Sequence, residues 1–323
     1  MYRSLRRRVL TPAMSETKPS VRGFHEKTPE STDLLETVGR MFLTGYGYAA
    51  EARRPLDVEP LLEELPVRFR GFAYEGAAMG FAVRDGLPFG SRRSVLEFLT
   101  GRARDHDYMV YVGVGWALAR VPRFRWRAVT ANVTDDLISW LVHDGFGFHQ
   151  AYFHPDEYVH KHYREPSFPW PGGRHQWYAD HAIDQGIGRA LWFVAGTDAE
   201  VAANLIDKYP AERHSDLYSG AGLAATYAGG VERRELELFW DRAGEHRPVV
   251  AQASAFAAIA RVRAGLAVPH NELATRVFCG MSVAEAAEVT VRNRPDGPVD
   301  GDVPAYEVWR RRIADEFRAL GRV

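Results

Sequence analysis

YVGVGWALAR (residues 111–120) carries a Gly, a second Gly two positions on, and then two turns of mostly apolar side chains. The chain returns to this cassette at YEGAAMGFAV from Tyr74, HDGFGFHQAY from His143, DQGIGRALWF from Asp184, YSGAGLAATY from Tyr218 and VAQASAFAAI from Val250. The lead positions are Gly76, Gly113, Gly145, Gly186, Gly220 and Gln252, separated by 37, 32, 41, 34 and 32 residues. The second positions, Ala78, Gly115, Gly147, Gly188, Gly222 and Ser254, are all small. Self-similarity at such a period is the mark of a repeat architecture.

Within each cassette apolar residues recur every three to four positions, a helical period. The density of Gly and Ala disfavours strands, because Gly weakens a strand and packs nothing on its face. Second amphipathic helices are predicted at 94–99, 126–133, 199–209, 232–243 and 271–278, bracketed by X-Pro breakers at 87–88, 121–122, 209–210, 247–248 and 268–269. A final helix at 306–320 follows Pro304, and its polar face suits a cap. The expected fold is all-α: six helix–turn–helix repeats of about 35 residues, forming a solenoid or curved α/α array with a C-terminal capping helix. Residues 1–33 lack sustained periodicity and are expected to be a partly ordered N-terminal extension; residues 34–323 form the single repeat domain.

Gly inside a helix costs about 0.5–1 kcal/mol relative to Ala, so a recurring Gly needs a recurring reason. Two reasons remain open. The columns either let helix backbones pack near contact, or line an apolar tunnel for a thin hydrophobic ligand.

Composition narrows the class. A net charge of −1 argues against a nucleic-acid footprint, and no segment has the length of apolar sequence that a membrane span needs. Cys279 is the single cysteine, so no intrachain disulfide forms and a reducing cytoplasm is expected. The basic RSLRRRVL near the start lacks the following apolar core of a secretory signal.

The third interval is irregular. HPDEYVHKHYREPSFPWPGGRHQW (154–177) is an aromatic and His-rich insertion, and insertions in repeat proteins tend to fall on one, often binding, face. Seven of the twelve histidines lie between 143 and 181. Glu157 and His160 form one Glu-x-x-His pair, but a di-iron site needs a second pair with further carboxylates, and none is evident, so no metal or cofactor is expected. The third and fourth cassettes also place His143, Asp144, Asp184 and Arg189 where the others are aromatic or apolar, which makes these four the catalytic candidates. A plain buried ion pair accounts equally for a carboxylate beside Arg. The ligand-binding candidates are Trp116, Phe148, His149, Trp170, Trp177, His181 and Trp192. The tyrosines two positions before three lead glycines, Tyr74, Tyr111 and Tyr218, read as interhelix hydrogen bonders. Phosphate loops, His-Glu-x-x-His, Cys pairs and nucleophile elbows are missing.

Six stretches carry a family resemblance: RGFAYEGAAMGFAVRD (70–85), YVGVGWALARVPR (111–123), DQGIGRALWFVAG (184–196), LYSGAGLAATYAGG (217–230), AGEHRPVVAQASAFA (243–257) and PAYEVWRRRI (304–313). The chain resembles actinobacterial proteins of domain-of-unknown-function family 1702 over roughly residues 1–318, a family that includes UnbL-like accessory proteins of enediyne antibiotic gene clusters. The resemblance implies a role in maturing the long polyene made by the cluster's polyketide synthase, with an apolar polyene intermediate as ligand and other cluster proteins as partners. It carries no catalytic residue across. A non-catalytic helical-repeat scaffold that docks partner enzymes is the alternative expectation.

Overall fold

The computed structural model describes residues 2–88, 93–169, 174–297 and 301–323, and every regular element among them is a helix. Nine helices carry the architecture: α1 (Pro29–Glu51), α2 (Val67–Gly86), α3 (Asp107–Leu118), α4 (Leu141–Phe153), α5 (Ala179–Val194), α6 (Ala211–Ala228), α7 (Arg247–Arg263), α8 (Val283–Arg292) and α9 (Ala305–Ala319). Each of α1 to α7 packs against the next in chain order, and α8 and α9 both pack on α7. The six cassettes are helices α2 to α7.

The glycines explain the spacing of this array. A Cβ built on Gly145 would lie 2.0 Å from the carbonyl oxygen of Val112, and one on Gly115 would lie 2.1 Å from that of Val142. Gly186 and Gly147 repeat the relation against Asp144 and Ile183, as do Gly220 and Gly188 against Gln185 and Leu217. From α3 to α6 the register is therefore constant. A lead Gly meets the carbonyl of the residue before the previous lead Gly, and a second Gly meets the carbonyl three residues before the next one. The columns face another helix and leave no tunnel between them.

One copy was illegible to the cassette pattern. Gly45 in α1 belongs to the same system in the second position, since a Cβ on it would meet the Ala73 carbonyl, three residues before Gly76, at 1.9 Å, and a Cβ on Gly76 would meet the Phe42 carbonyl at 1.9 Å. The lead position of this copy is Leu43, which carries no Gly and so hides the match.

The second helices are shorter than expected at Ser94–Phe98, Trp126–Thr130 and Ala199–Ile206, match expectation to within one residue at Arg233–Ala243, and run two residues longer at Pro269–Phe278. The last three pack on one another as an outer layer. Tyrosine hydroxyls tie the layers together. Tyr74 donates to Glu63 at 2.7 Å, Tyr111 accepts from the Asp135 amide at 2.9 Å, and Tyr218 donates to the Arg242 carbonyl at 3.2 Å. Within the insertion, a π-helical turn Asp156–His160 replaces the outer helix, and Tyr158, Val159 and Phe168 are buried.

Residues before α1 are built in. A helix Tyr2–Leu10 and short turns Met14–Thr17 and Pro19–Arg22 lead to Phe24, which is buried against Tyr152, and Lys27, which donates to the Gly230 carbonyl at 3.0 Å. Thr28 and Ser31 then form a capping box that starts α1. At the other end the chain returns on its beginning. Arg261 of α7 donates to the Arg68 carbonyl at 2.9 Å, Phe72 meets Tyr227 edge-on at 5.2 Å, and Arg263 pairs with Asp107 at 2.9 Å.

Candidate functional site

Beneath the N-terminal segment lies a narrow apolar cavity of about 50 Å³. Its walls follow from helical spacing. Leu35, Val38 and Phe42 line it from α1, Phe72, Glu75 and Met79 from α2, Trp116 from α3, Phe148 and Tyr152 from α4, and Phe193 from α5. Pro12, Glu16 and Thr17 close the outer side, with Arg120 at the rim.

Glu75 is the one carboxyl in the deep part of this wall. It is 1% exposed, and its Oε1 has no hydrogen-bond partner. Burial pushes its pKa up to about 8, partly offset by the positive charge of Arg189. At neutral pH the group is therefore mostly a carboxylic acid, a hydrogen-bond donor in an apolar setting. The Trp116 indole is close enough to pull that pKa down slightly, yet its Nε1 closes no hydrogen bond of good geometry.

Behind Glu75, Arg189 of α5 pairs with Asp144 of α4 at 2.5 Å, both buried, and its guanidinium lies over the Phe148 ring at 5.2 Å. Burial pulls the Arg189 pKa down, but Asp144 and then Glu75 outweigh it, so the guanidinium stays charged. Two of the four residues singled out for catalysis thus meet, beside the cavity.

The other two lie elsewhere. Asp184 is held by Arg213 at 2.6 Å and by Arg164 of the insertion at 2.7 Å. His143 is buried between Trp140 and Phe168, with ring centroids at 5.0 and 5.1 Å, and burial drops its pKa to about 3.

Of the ligand-binding candidates, Trp116 and Phe148 line the cavity. His149 packs behind them, 5.5 Å from Trp116, and is held neutral by burial, its pKa lowered to about 3. Trp192 is fully buried and donates to the Gly229 carbonyl at 3.1 Å. Trp177 is half exposed beside His181, whose Nδ1 sits 2.7 Å from Asp216. Trp170 lies outside the described residues.

One position of the repeat is polar in four of five copies. The residues just before successive lead glycines are Glu75, Val112, Asp144, Gln185 and Ser219, all buried. Glu75 faces the cavity and Asp144 holds Arg189. Gln185 donates to Asp216 at 2.9 Å, and Ser219 accepts from Arg310 of α9 at 3.0 Å. Arg310 also donates to Glu307 at 2.7 Å and to the Tyr178 hydroxyl at 3.0 Å, fastening the last helix to the array. Comparing the position before each lead Gly, instead of the glycines themselves, would have exposed Glu75 in the sequence.

Among the described residues no group of three or more His, Cys, Asp or Glu side chains is placed to hold a metal ion, and no helix is long and apolar enough to cross a membrane. A family model covers residues 1–317, and the chain belongs to that family, the proteins of unknown function DUF1702. No curated protein and no solved structure matches it.

Proposed function

We propose that the protein binds an extended apolar chain, a polyene of polyketide origin, in the cavity beneath its N-terminal segment, and so acts as an accessory protein of enediyne-type biosynthesis in the cytoplasm. The observation that carries this reading is the cavity itself. Its walls are almost wholly apolar, and aromatic side chains from five helices, among them Phe42, Phe72, Trp116, Phe148 and Phe193, converge on it. A conjugated chain stacks on such faces and gives up little hydration on entering. The likeness to UnbL-like proteins supplies the pathway. The even Gly-to-carbonyl register supports reading α2 to α7 with their outer segments as helix-pair repeats of one curved array.

The test is direct. Purified protein is incubated with polyene released by the synthase, separated from free ligand and analysed by mass spectrometry. Retention of the polyene, reduced by Phe148→Ala, is expected. Absence of retention, or unchanged polyene and enediyne levels after gene deletion, sinks the reading. Co-purification of cluster enzymes without any retained polyene would favour the scaffold alternative.

A further inference from the structure

Between α5, α6, α7 and α9 opens a polar cleft of about 400 Å³ that shares no residue with the apolar cavity. His181 of α5 stands on its wall with its side chain 43% exposed, and its Nδ1 lies 2.7 Å from the Asp216 carboxylate of α6. A carboxylate only accepts, so the neutral ring carries its proton on Nδ1 and keeps its lone pair on Nε2. Nε2 makes no hydrogen bond among the described residues. Both partners are held in place. The ring lies nearly parallel to Tyr178 and edge-on to Trp177, each at 5.6 Å between centroids. Asp216 accepts from Gln185 at 2.9 Å through its other oxygen, with Arg310 Nη1 3.5 Å away.

We propose that this cleft is a proton-transfer site, in which His181, oriented by Asp216, accepts at Nε2 the proton of a hydroxyl carried by a neutral polar ligand. The O–H bond of the ligand breaks and an N–H bond forms at Nε2. The ligand oxygen keeps the electron pair, opposite an imidazolium that Asp216 steadies. The site stands independently of the apolar cavity and of any ligand held there.

Three observations set the class. The hydrogen bond from Asp216 makes His181 a stronger base than an ordinary histidine; burial opposes this, and the charges of Asp216, Glu307 and Asp184 add to it. The cations of the cleft are already engaged: Arg310 by Glu307 and Asp216, Arg311 by Glu307, and Arg318 by Asp315. Glu212 adds a further negative charge, so among the described residues the wall offers an anionic ligand no unpaired arginine. Gln252 of α7 then stands where the five other cassettes carry their lead Gly. Its Oε1 accepts from Arg310 at 3.2 Å, which leaves its buried NH2 group without a partner in the same wall. An unpaired donor there favours a ligand that carries an acceptor oxygen besides its hydroxyl.

The probe is para-nitrophenol, a neutral hydroxyl compound with an acceptor group, which turns yellow on losing its proton. Absorbance measures the ionised fraction of bound and of free probe at a pH where the free phenol is mostly neutral. With wild type the ratio of ionised to neutral probe is expected to be about tenfold higher bound than free, the worth of one hydrogen bond to a charged group. His181→Gln, at a half-exposed position, should fold as wild type and lose the enhancement. Positioning by Asp216 is read separately, by nitrogen NMR of labelled histidine. Neutral His181 should carry its proton on Nδ1 in wild type. In Asp216→Asn, Gln185 claims the amide oxygen and leaves the NH2 group to face Nδ1, so the proton should move to Nε2 and the enhancement should vanish. Because Asp216 also holds Gln185 and Arg310, this variant can fold poorly, and the wild-type tautomer serves as a readout that needs no substitution. No binding of the probe, equal ionisation bound and free, an enhancement that survives His181→Gln, or a wild-type proton on Nε2 overturns the site.

Discussion

Gly186 and Asp144 are in backbone contact: a Cβ on Gly186 would fall 1.9 Å from the Asp144 carbonyl oxygen, on the same residue whose side chain holds Arg189. Because the obstacle is main chain, it cannot swing away as a flexible side chain would. Gly186→Ala should therefore force α4 and α5 apart and cost about 3 kcal/mol or more. Gly297, with nothing within 4 Å of its would-be Cβ, is the control, and Gly297→Ala should stay within about 0.5 kcal/mol. Urea denaturation of the two variants checks both.

Arg189 and Asp144 should behave as a coupled pair. Removing one partner strands a buried charge, so Arg189→Met and Asp144→Leu are each expected to destabilise by about 3–5 kcal/mol. The double variant should cost clearly less than the sum, because neither charge remains. A double-mutant cycle in urea measures the coupling, and additive losses would contradict the pairing.

Glu75 gives a pH signature of known sign. Its folded pKa is raised from 4.5 to about 8, so between those values the folded state holds a proton that the unfolded state has released. Stability contributed by this group therefore falls as pH rises across that window, at up to about 1.4 kcal/mol per unit. Glu75→Gln removes the slope. The variant should exceed wild type in stability at pH 7–8, and the gap should close towards pH 5, as read from Tm against pH.

The buried histidines slope the other way. His106, His143 and His149 have folded pKa values lowered from 6.5 to about 3, so the unfolded chain takes up protons that the folded one refuses. Their contribution is complete above pH 6.5 and is lost as pH falls towards 3. The Glu75→Gln variant, freed of the opposing term, should show this acid loss undiluted, with proton uptake on unfolding measurable near pH 5.

Gly39 of α1 touches the N-terminal segment: its would-be Cβ lies 2.6 Å from the Thr17 Cβ. Gly39→Val should lift residues 11–17 off the cavity while leaving the helix array intact. Faster hydrogen exchange across that segment, a Tm change of a few degrees at most and faster ligand association are the expected outcomes.

The helical cassettes were legible because the same backbone contact recurs and each recurrence demands a small residue. The site was less so, and the reasons are geometric. His143 and Asp144 are adjacent, so on a helix they point about 100° apart and cannot serve one centre. Asp184 and Arg189 are five residues apart on α5, which likewise turns them to different neighbours, Arg213 for one and Asp144 for the other. The pairing that does form joins the position before one lead Gly to the position three after the next, a relation that only the packed helices reveal. Glu75 stood within a quoted cassette, but its meaning depended on what faced it: Phe72 and Met79 beside it, and Trp116 across from it.

The hydrogen bond from Arg261 to the Arg68 carbonyl spans 193 residues, whereas the cavity is lined wholly by residues between Pro12 and Phe193. Most contacts that raise those walls join helices neighbouring in the chain, whose loops close at small entropic cost. The long clasp rewards its closure only once the intervening helices are in place. The end of α7 thus fastens α2, and Glu75 with it, from a part of the chain that contributes no residue to the cavity wall.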